Sequence, residues 1–459
     1  MINEIYKYAW WFIGLTYMIV IFAVYVYVIA KVWLKHKTAP NILTEYNKNP
    51  KVSIVVPAYN EEVTIIDAVE SMLHQDYKNI EICVVNDGST DRTSEIMIAH
   101  FKLVENNVKD IINTNEQLHP EIYTTEVFNT YSNGNITLID KANGGKATAL
   151  NVGLLATQSE YVLNVDADTF LVKDAISIAL KKKREDVDVV SCMIGVLNGN
   201  IIDKGEIITH QVPKRILPRI QWLEYIRSFI LWSTSNADNE FCLVVSGAFA
   251  LIKRDMILKV KGYQKDHLAE DMDITLNIVA HKGKIQFISE FLAWTEVPET
   301  FSSLTSQRLR WYRGGLSCIL TYKKFLFNTK YNKSLSFFMI PFIWISEVFG
   351  PWVELAGWLQ LAILLYFDIP VNWGIFFQMW MIVLILHYSY MIALLLFVKF
   401  KLNQYKWDKL YRCIPIILME VFTYHFINLY WLVKSHLRQY RGASVSWNKF
   451  KRRGFNNIK

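Results

Sequence analysis

The apolar positions of this chain change their spacing twice. Residues 9–30 form an apolar run without a charge, and about 20 such residues suffice to cross the hydrocarbon core of a bilayer. From about Lys51 the runs become short and β-branched: Val52-Ser53-Ile54-Val55-Val56-Pro57, Ile80-Glu81-Ile82-Cys83-Val84-Val85 and Tyr161-Val162-Leu163-Asn164-Val165. Helical stretches over 61–74 and 90–101 separate them. Strands alternating with helices predict an α/β domain with a mostly parallel sheet, whose ligands sit beyond the carboxyl ends of the strands. Polar stretches at 109–135 and 198–218 lack clear periodicity and read as surface insertions, the first of them mobile. After Lys333 long apolar runs return, at 335–367, 373–398 and 414–433. A soluble core produces one such run but hardly three, so membrane insertion is expected. The third run contains Pro415, Glu420 and His425. It need not be a simple span, and the parity of the C-terminal crossings stays open.

This pattern divides the chain into an anchor and linker (1–50), an α/β domain (51–300), an interfacial helix region (301–334) and a C-terminal membrane region with a basic tail (335–459). Lys31, Lys35 and Lys37 follow the first run, whereas only Lys7 precedes it. The positive-inside bias therefore predicts a multi-pass cell-membrane protein with its α/β domain in the cytoplasm. The run is too long for a cleaved signal and shows no small-residue cleavage site, so a retained anchor is expected. A 52% hydrophobic content and a mean hydropathy of +0.17 agree, being too apolar for a purely soluble protein. The net charge of +7 suits nucleic acid in principle. The basic residues cluster beside apolar segments, however, so the lipid bilayer is the expected partner and nucleic acid is not. Five scattered cysteines without a CxxC pair argue against a disulfide framework or zinc site and for reduced thiols.

Candidate chemistry gathers in separated motifs. Asp166 and Asp168, spaced i, i+2 at a strand's end, suit a hard divalent cation, Mg2+ or Mn2+, with diphosphate oxygens and water completing its shell. Such an ion would neutralise charge on a departing diphosphate. Asn86-Asp87-Gly88-Ser89 serves equally a turn and helix cap or a carboxylate that accepts a nucleobase N–H. Gly144-Gly145-Lys146 suits close backbone approach to phosphate with a cation nearby, although it lacks the P-loop spacing. Glu270-Asp271 opens a helical stretch, where carboxylates favour a helix N-terminus; Asp271 is also a candidate general base for an acceptor hydroxyl. Within Gln307-Arg308-Leu309-Arg310-Trp311, Arg310 suits a diphosphate and Trp311 offers a flat face to a sugar ring. An amphipathic interfacial helix with basic and aromatic anchors explains the same stretch.

Together, Val56-Pro57-Ala58-Tyr59-Asn60-Glu61-Glu62, Asn86-Asp87-Gly88-Ser89, Asp166-Ala167-Asp168, Ser246-Gly247-Ala248-Phe249 and Gln307-Arg308-Leu309-Arg310-Trp311 resemble the signatures of processive family 2 inverting glycosyltransferases. That family includes the poly-N-acetylglucosamine, hyaluronan and cellulose synthases. The nearest likeness is to the first, through Pro298-Glu299-Thr300 and the tail from Trp447 to Gly454. The resemblance implies a GT-A-type domain flanked by transmembrane helices that polymerises a UDP-sugar, UDP-N-acetylglucosamine foremost, into an extracellular polysaccharide with coupled translocation. It implies donor contacts from Tyr59, Glu61, Asp87, Lys146, Asp166 and Asp168, the last two also holding metal. Acceptor or diphosphate contacts fall to Ser246, Gly247, Phe249, Glu270, Gln307, Arg310 and Trp311, and Asp271 is the base. Implied partners are the UDP-sugar, the growing chain, the bilayer and a small membrane or export subunit. The family's Thr-Glu-Asp reads Ala269-Glu270-Asp271 here, which keeps the base and alters acceptor contacts. The two polar insertions depart from the poly-N-acetylglucosamine branch and leave the sugar less defined than the reaction. With no long soluble domain after the last span, a cyclic-dinucleotide sensor is not expected. The competing readings are a non-processive transferase that charges a lipid carrier, against which the Gln-x-x-Arg-Trp motif speaks, and a non-catalytic membrane scaffold, against which the intact carboxylates speak.

Overall fold

The computed structural model describes residues 49–107, 126–203, 206–229, 242–265, 267–402 and 405–442, with isolated positions at Ile19, Ala23, Val26, Tyr27, Ala30 and Gly454. Apart from those positions, the expected anchor at 9–30 and the basic tail beyond 442 lie outside the described residues, as does 109–125 of the first polar stretch. The chain divides into two compact units, one on Pro40–Leu304 and Trp447–Lys459, the other on Met1–Ala39 and Thr305–Ser446.

The first unit is an α/β domain. Its strands are β1 (Val52–Ala58), β2 (Ile80–Asp87), β3 (Val104–Asn106), β4 (Val127–Asn133), β5 (Ile136–Lys141), β6 (Tyr161–Asn164), β7 (Thr169–Leu171), β8 (Val189–Val196), β9 (Ile201–Asp203), β10 (Glu206–Thr209), β11 (Ala250–Lys253) and β12 (Ile285–Thr295). All but β9 and β10 form one ten-stranded sheet in the order β3-β4-β5-β2-β1-β6-β11-β8-β12-β7. The run β5-β2-β1-β6 is parallel, as is β8 with β12. Antiparallel pairs lie at both margins and across β11. The three apolar runs seen in the sequence are thus β1, β2 and β6, three adjacent central strands buried on both faces, which is why they lack alternation.

Helices pack on this layer through close backbone approach. In the helix Lys146–Leu155 every residue from Ala147 onward is buried. A Cβ on its Gly153 would lie 2.3 Å from Val55 Cγ1, so glycine alone lets this helix sit on β1. Cys83, Val85, Ile139, Ala149 and Val152 form a core cluster between helix and sheet, each larger side chain contributing about 1.5–3 kcal/mol by leaving water. At β8, a Cβ on Gly195 would meet the Trp294 ring at 2.3 Å.

Three expectations need correcting. Residues 127–133 of the first polar stretch are a strand, β4, which pairs antiparallel with β5. It lies near the sheet margin with only Thr130 buried, so its side chains carry no apolar period. The second stretch holds the hairpin β9–β10 and the start of the helix Ile216–Arg227. The helix expected over 61–74 begins at Ile65, because Asn60 has φ 54 and its neighbours are bonded to the following loop.

The second unit is helical. Phe301–Thr321 is followed by Leu335–Tyr366 (32 residues) and Trp373–Phe400 (28 residues), both long and apolar enough to cross a membrane. The third apolar run is a broken pair, Trp407–Glu420 and Tyr424–Tyr440, bent by 62°. Polar groups flank the break: Glu420 faces His387 at 3.9 Å and His425 bonds Glu354 at 2.7 Å. All five cysteines of the chain are free and buried.

Candidate active site

The carboxyl ends of β1 and β2 are knotted together by their loops. Asn60, in the left-handed region that asparagine tolerates, accepts the Thr90 N–H (2.7 Å) and the Asp91 N–H (3.3 Å) on its side chain. Its own N–H donates to Ser89 Oγ at 2.8 Å, and the Glu61 N–H donates to Thr93 Oγ1 at 2.8 Å. The buried Glu61 carboxylate accepts the Thr64 hydroxyl at 2.8 Å, while Tyr59 is half-buried beside it. Asn86 Oδ1 accepts the Ser89 N–H at 3.2 Å, the turn that Asn-Asp-Gly-Ser predicts.

Asp87 is 3% exposed. Its carboxylate pairs with Lys141 and accepts the Gly144 N–H (3.0 Å) and the Gly145 N–H (2.8 Å). Asn143 Nδ2 donates to the Asp87 carbonyl at 2.8 Å. Gly88 (φ 69) is required here, since a Cβ would lie 2.8 Å from the Asn143 nitrogen. Sequence reasoning missed Lys141. Its signal was a cation ending β5, which the parallel register sets opposite Asp87.

Lys146, first residue of its helix, reaches Asp166 Oδ1 at 2.6 Å and Glu270 Oε1 at 2.7 Å. Burial by itself would lower its pKa, but the carboxylates of Asp166, Glu270 and Asp271 hold it above the ordinary lysine value. Gly247 makes room for this: a Cβ there would lie 2.6 Å from Lys146 Nζ and 3.4 Å from both Asp166 oxygens. Asp271 stands in the first turn of the helix Glu270–Ala280 and accepts the Met272 N–H at 2.8 Å. Burial, then the neighbouring Glu270 charge, push its carboxyl up to about 6, with Lys146 opposing. The helix is tied to the Ser246–Phe249 segment through Thr275, which donates to the Asp271 carbonyl (2.5 Å) and accepts the Val245 N–H (2.9 Å). Lys146, Asn164, Gly247, Tyr263, Glu270 and Asp271 line a small recess whose apolar wall includes Leu150, Ile252 and Ile274. A buried carboxyl held above its ordinary value among convergent charged groups makes this a candidate reaction site.

Asp166 and Asp168 differ from the strand-based expectation. β6 ends at Asn164, and the motif lies in a turn closed by the Thr169 N–H donating to the Asp166 carbonyl at 3.0 Å. Strand alternation therefore does not orient the pair. Asp166 stays one-third exposed beside Lys146, and Asp168 is 7% exposed. Phe249 is fully buried and Ser246 half-buried, its Oγ accepting the Ala248 N–H at 3.3 Å.

The family description "Glycosyl transferase family 2" matches residues 53–120, and "Glycosyltransferase like family 2" matches residues 122–314. The chain belongs to glycosyltransferase family 2. Among the relatives of this family 2 glycosyltransferase is the poly-beta-1,6-N-acetyl-D-glucosamine synthase of Staphylococcus epidermidis. It is 27% identical over 316 residues, 69% of this chain and 65% of the relative. The protein of that name from Staphylococcus aureus strain COL is 26% identical over 317 residues, 67% of this chain and 66% of its own. The chain thus spans just under two thirds of the length of these relatives. A mannosyltransferase from Pyrobaculum calidifontis, solved in complex with GDP-Man and Mn2+, superimposes with a TM-score of 0.55 at 14% identity, covering 93% of this chain and 99% of its own. That likeness gives the fold: a GT-A-like mixed sheet followed by long apolar helices.

Gln307, Arg310 and Trp311 of the glycosyltransferase lie on the helix Phe301–Thr321, in the second unit. Trp311 is 37% exposed. The guanidinium of the buried Arg308, a residue to which the sequence reading gave no role, lies 4.6 Å from the centre of its ring. Within the first unit, Lys146, Asp166, Gly247, Glu270 and Asp271 come together, while Tyr59, Glu61 and Asp87 gather at the ends of β1 and β2.

Proposed function

We infer that this family 2 glycosyltransferase is membrane-embedded and builds a β-linked polysaccharide processively, with inversion, from a UDP-sugar, foremost UDP-N-acetylglucosamine. The observation that carries the reading is the raised Asp271 carboxyl set beside the Lys146–Asp166–Glu270 ion network. A base with a pKa near working pH removes a hydroxyl proton efficiently, and a buried cation beside it stabilises the phosphate charge of a departing nucleotide. The names of the relatives point to N-acetylglucosamine, and the membrane-length helices fit an exported product.

In this mechanism Tyr59, Glu61 and Asp87 hold the nucleoside, while Lys146 holds the diphosphate. Ser246, Gly247 and Phe249 shape the acceptor side, and by the family resemblance Gln307, Arg310 and Trp311 of the second unit take diphosphate and acceptor roles. Asp271 takes the acceptor hydroxyl proton as that oxygen bonds the anomeric carbon. The bond from that carbon to phosphate breaks, and UDP leaves with the electron pair. Two carboxylates, one of them one-third exposed, are hard oxygen donors that suit Mg2+ or Mn2+ at Asp166 and Asp168; when bound, the ion supplies positive charge to the leaving diphosphate. Coupled translocation, a cytoplasmic catalytic domain and a small membrane subunit belong to the same reading.

The test is a donor screen on membranes that hold the full chain, with labelled UDP-sugars supplied one at a time. Long insoluble polymer from UDP-N-acetylglucosamine is the expected product. Label confined to a lipid means a non-processive enzyme acting on a carrier, and no transfer from any UDP-sugar rejects the donor class.

A further inference from the structure

We propose that Lys141 is a positioning residue for transfer: through Asp87 it holds the Gly144-Gly145 turn in the shape that delivers Lys146 to the reaction site. The inference rests on Lys146 belonging to the donor site, as read above. Lys141 is 1% exposed and ends β5, directly opposite Asp87 in the parallel register with β2. Its amine donates to Asp87, to the Ala142 carbonyl (2.6 Å) and to Thr148 Oγ1 (3.1 Å). Three acceptors meet three N–H bonds, so the ammonium is satisfied without water. Asp87 spends both carboxylate oxygens on the same turn, Oδ1 on Lys141 and the Gly144 N–H, Oδ2 on the Gly145 N–H. Thr148 closes the far side, its hydroxyl donating to the Gly145 carbonyl at 2.8 Å. The bonds thus encircle residues 141–148, and Lys146 departs from the middle toward Asp166 and Glu270.

The turn has little stiffness of its own. Gly145 adopts φ 91, open to glycine at no steric cost, and a glycine pair loses more freedom on folding than any other dipeptide. Bonds to a buried ion pair supply the missing constraint, because charge-assisted hydrogen bonds in a dry site are short and strong. A carboxylate offers about four acceptor positions. Three of them are taken at Asp87, which leaves one for a nucleobase N–H. Its clamping role and its donor contact are therefore compatible. Misplacing a catalytic cation by about 1 Å costs on the order of 10²-fold in rate, and that is the effect assigned to losing Lys141.

The experiment uses the full chain in lipid nanodiscs and compares Lys141→Met, Lys146→Ala and the double variant, reading kcat and donor KM per folded molecule. If Lys141 acts through Lys146, Lys141→Met lowers kcat by about 10²-fold and the double variant is no slower than Lys146→Ala. A folded Lys141→Met enzyme with wild-type kcat, or losses that multiply in the double variant, overturns the inference while leaving the donor reading intact. A Lys146→Ala enzyme with full activity overturns both. Should Lys141→Met not fold, Thr148→Val carries the same test. It keeps the ion pair, removes the bonds that close the turn, and is expected to lower kcat by about tenfold without multiplying the Lys146→Ala loss.

Discussion

The sharpest consequence of the site concerns the ionisation of Asp271. Its carboxyl is held up to about 6, first by burial and then by Glu270. A base works ionised, so kcat/KM should rise with pH through about 6 and level off above it. About ten in eleven molecules carry the base form at pH 7, and about one in eleven at pH 5. Asp271→Asn keeps the shape and removes the proton acceptor. Transfer should fall by ~10²–10⁴-fold, which corresponds to about 2.7–5.4 kcal/mol of barrier, and the limb near 6 should vanish. Glu270→Gln provides an independent check of sign. It removes a negative neighbour that raises Asp271, so the limb should move to lower pH. The assay is initial UDP release by nanodisc-embedded enzyme across about pH 4.5–8 under subsaturating donor, where kcat/KM reports free-enzyme groups. An Asn variant with a near-wild-type rate, or a limb near 6 that persists in it, would refute the assignment of Asp271 as base.

Four further outcomes follow from named contacts. Gly247→Ala places a Cβ 2.6 Å from Lys146 Nζ, and since only the end of a flexible side chain must yield, kcat/KM should fall about tenfold or more while the melting temperature hardly moves. Gly195→Ala drives a Cβ to 2.3 Å from the Trp294 ring; overpacking of this kind costs about 1–3 kcal/mol, so a thermal melt should shift down with the folded fraction retaining its KM. Excess chelator, or Asp168→Ala in folded protein, should abolish turnover, with Mn2+ or Mg2+ restoring the chelated wild type; full activity in chelator would reject the metal. Trp311→Ala should keep UDP affinity and yield but make little polymer, because a flat apolar face lets a sugar chain slide while orienting it; normal polymer length at a normal rate would reject the acceptor platform, and a yield that falls along with activity would mark the indole as an anchor.

Local pattern was enough to place the strands β1, β2 and β6, because strands buried on both faces need continuous apolar runs whatever their neighbours. Span-length apolar helices were legible for the same reason, since the bilayer sets a length that composition must meet. The motif positions followed, as Asp87 and Asp166 lie at or just past the ends of strands that could be read directly. Pairing was not legible. That β11 enters antiparallel between β6 and β8, or that polar β4 joins the sheet beside β5, depends on which edges are free once the centre has formed. The break between Glu420 and Tyr424 and its two histidine–carboxylate contacts likewise depend on neighbouring helices. Lys141 shows the limit most clearly. Its charge is visible in the sequence, but a buried ammonium is tolerable only with partners, and Asp87 lies 54 positions away. The sequence alone determined which groups could react. Tertiary structure decided which of them meet, how dry their meeting place is, and so the charge that Lys146 and Asp271 carry there, because desolvation and ion pairing act through space rather than along the chain.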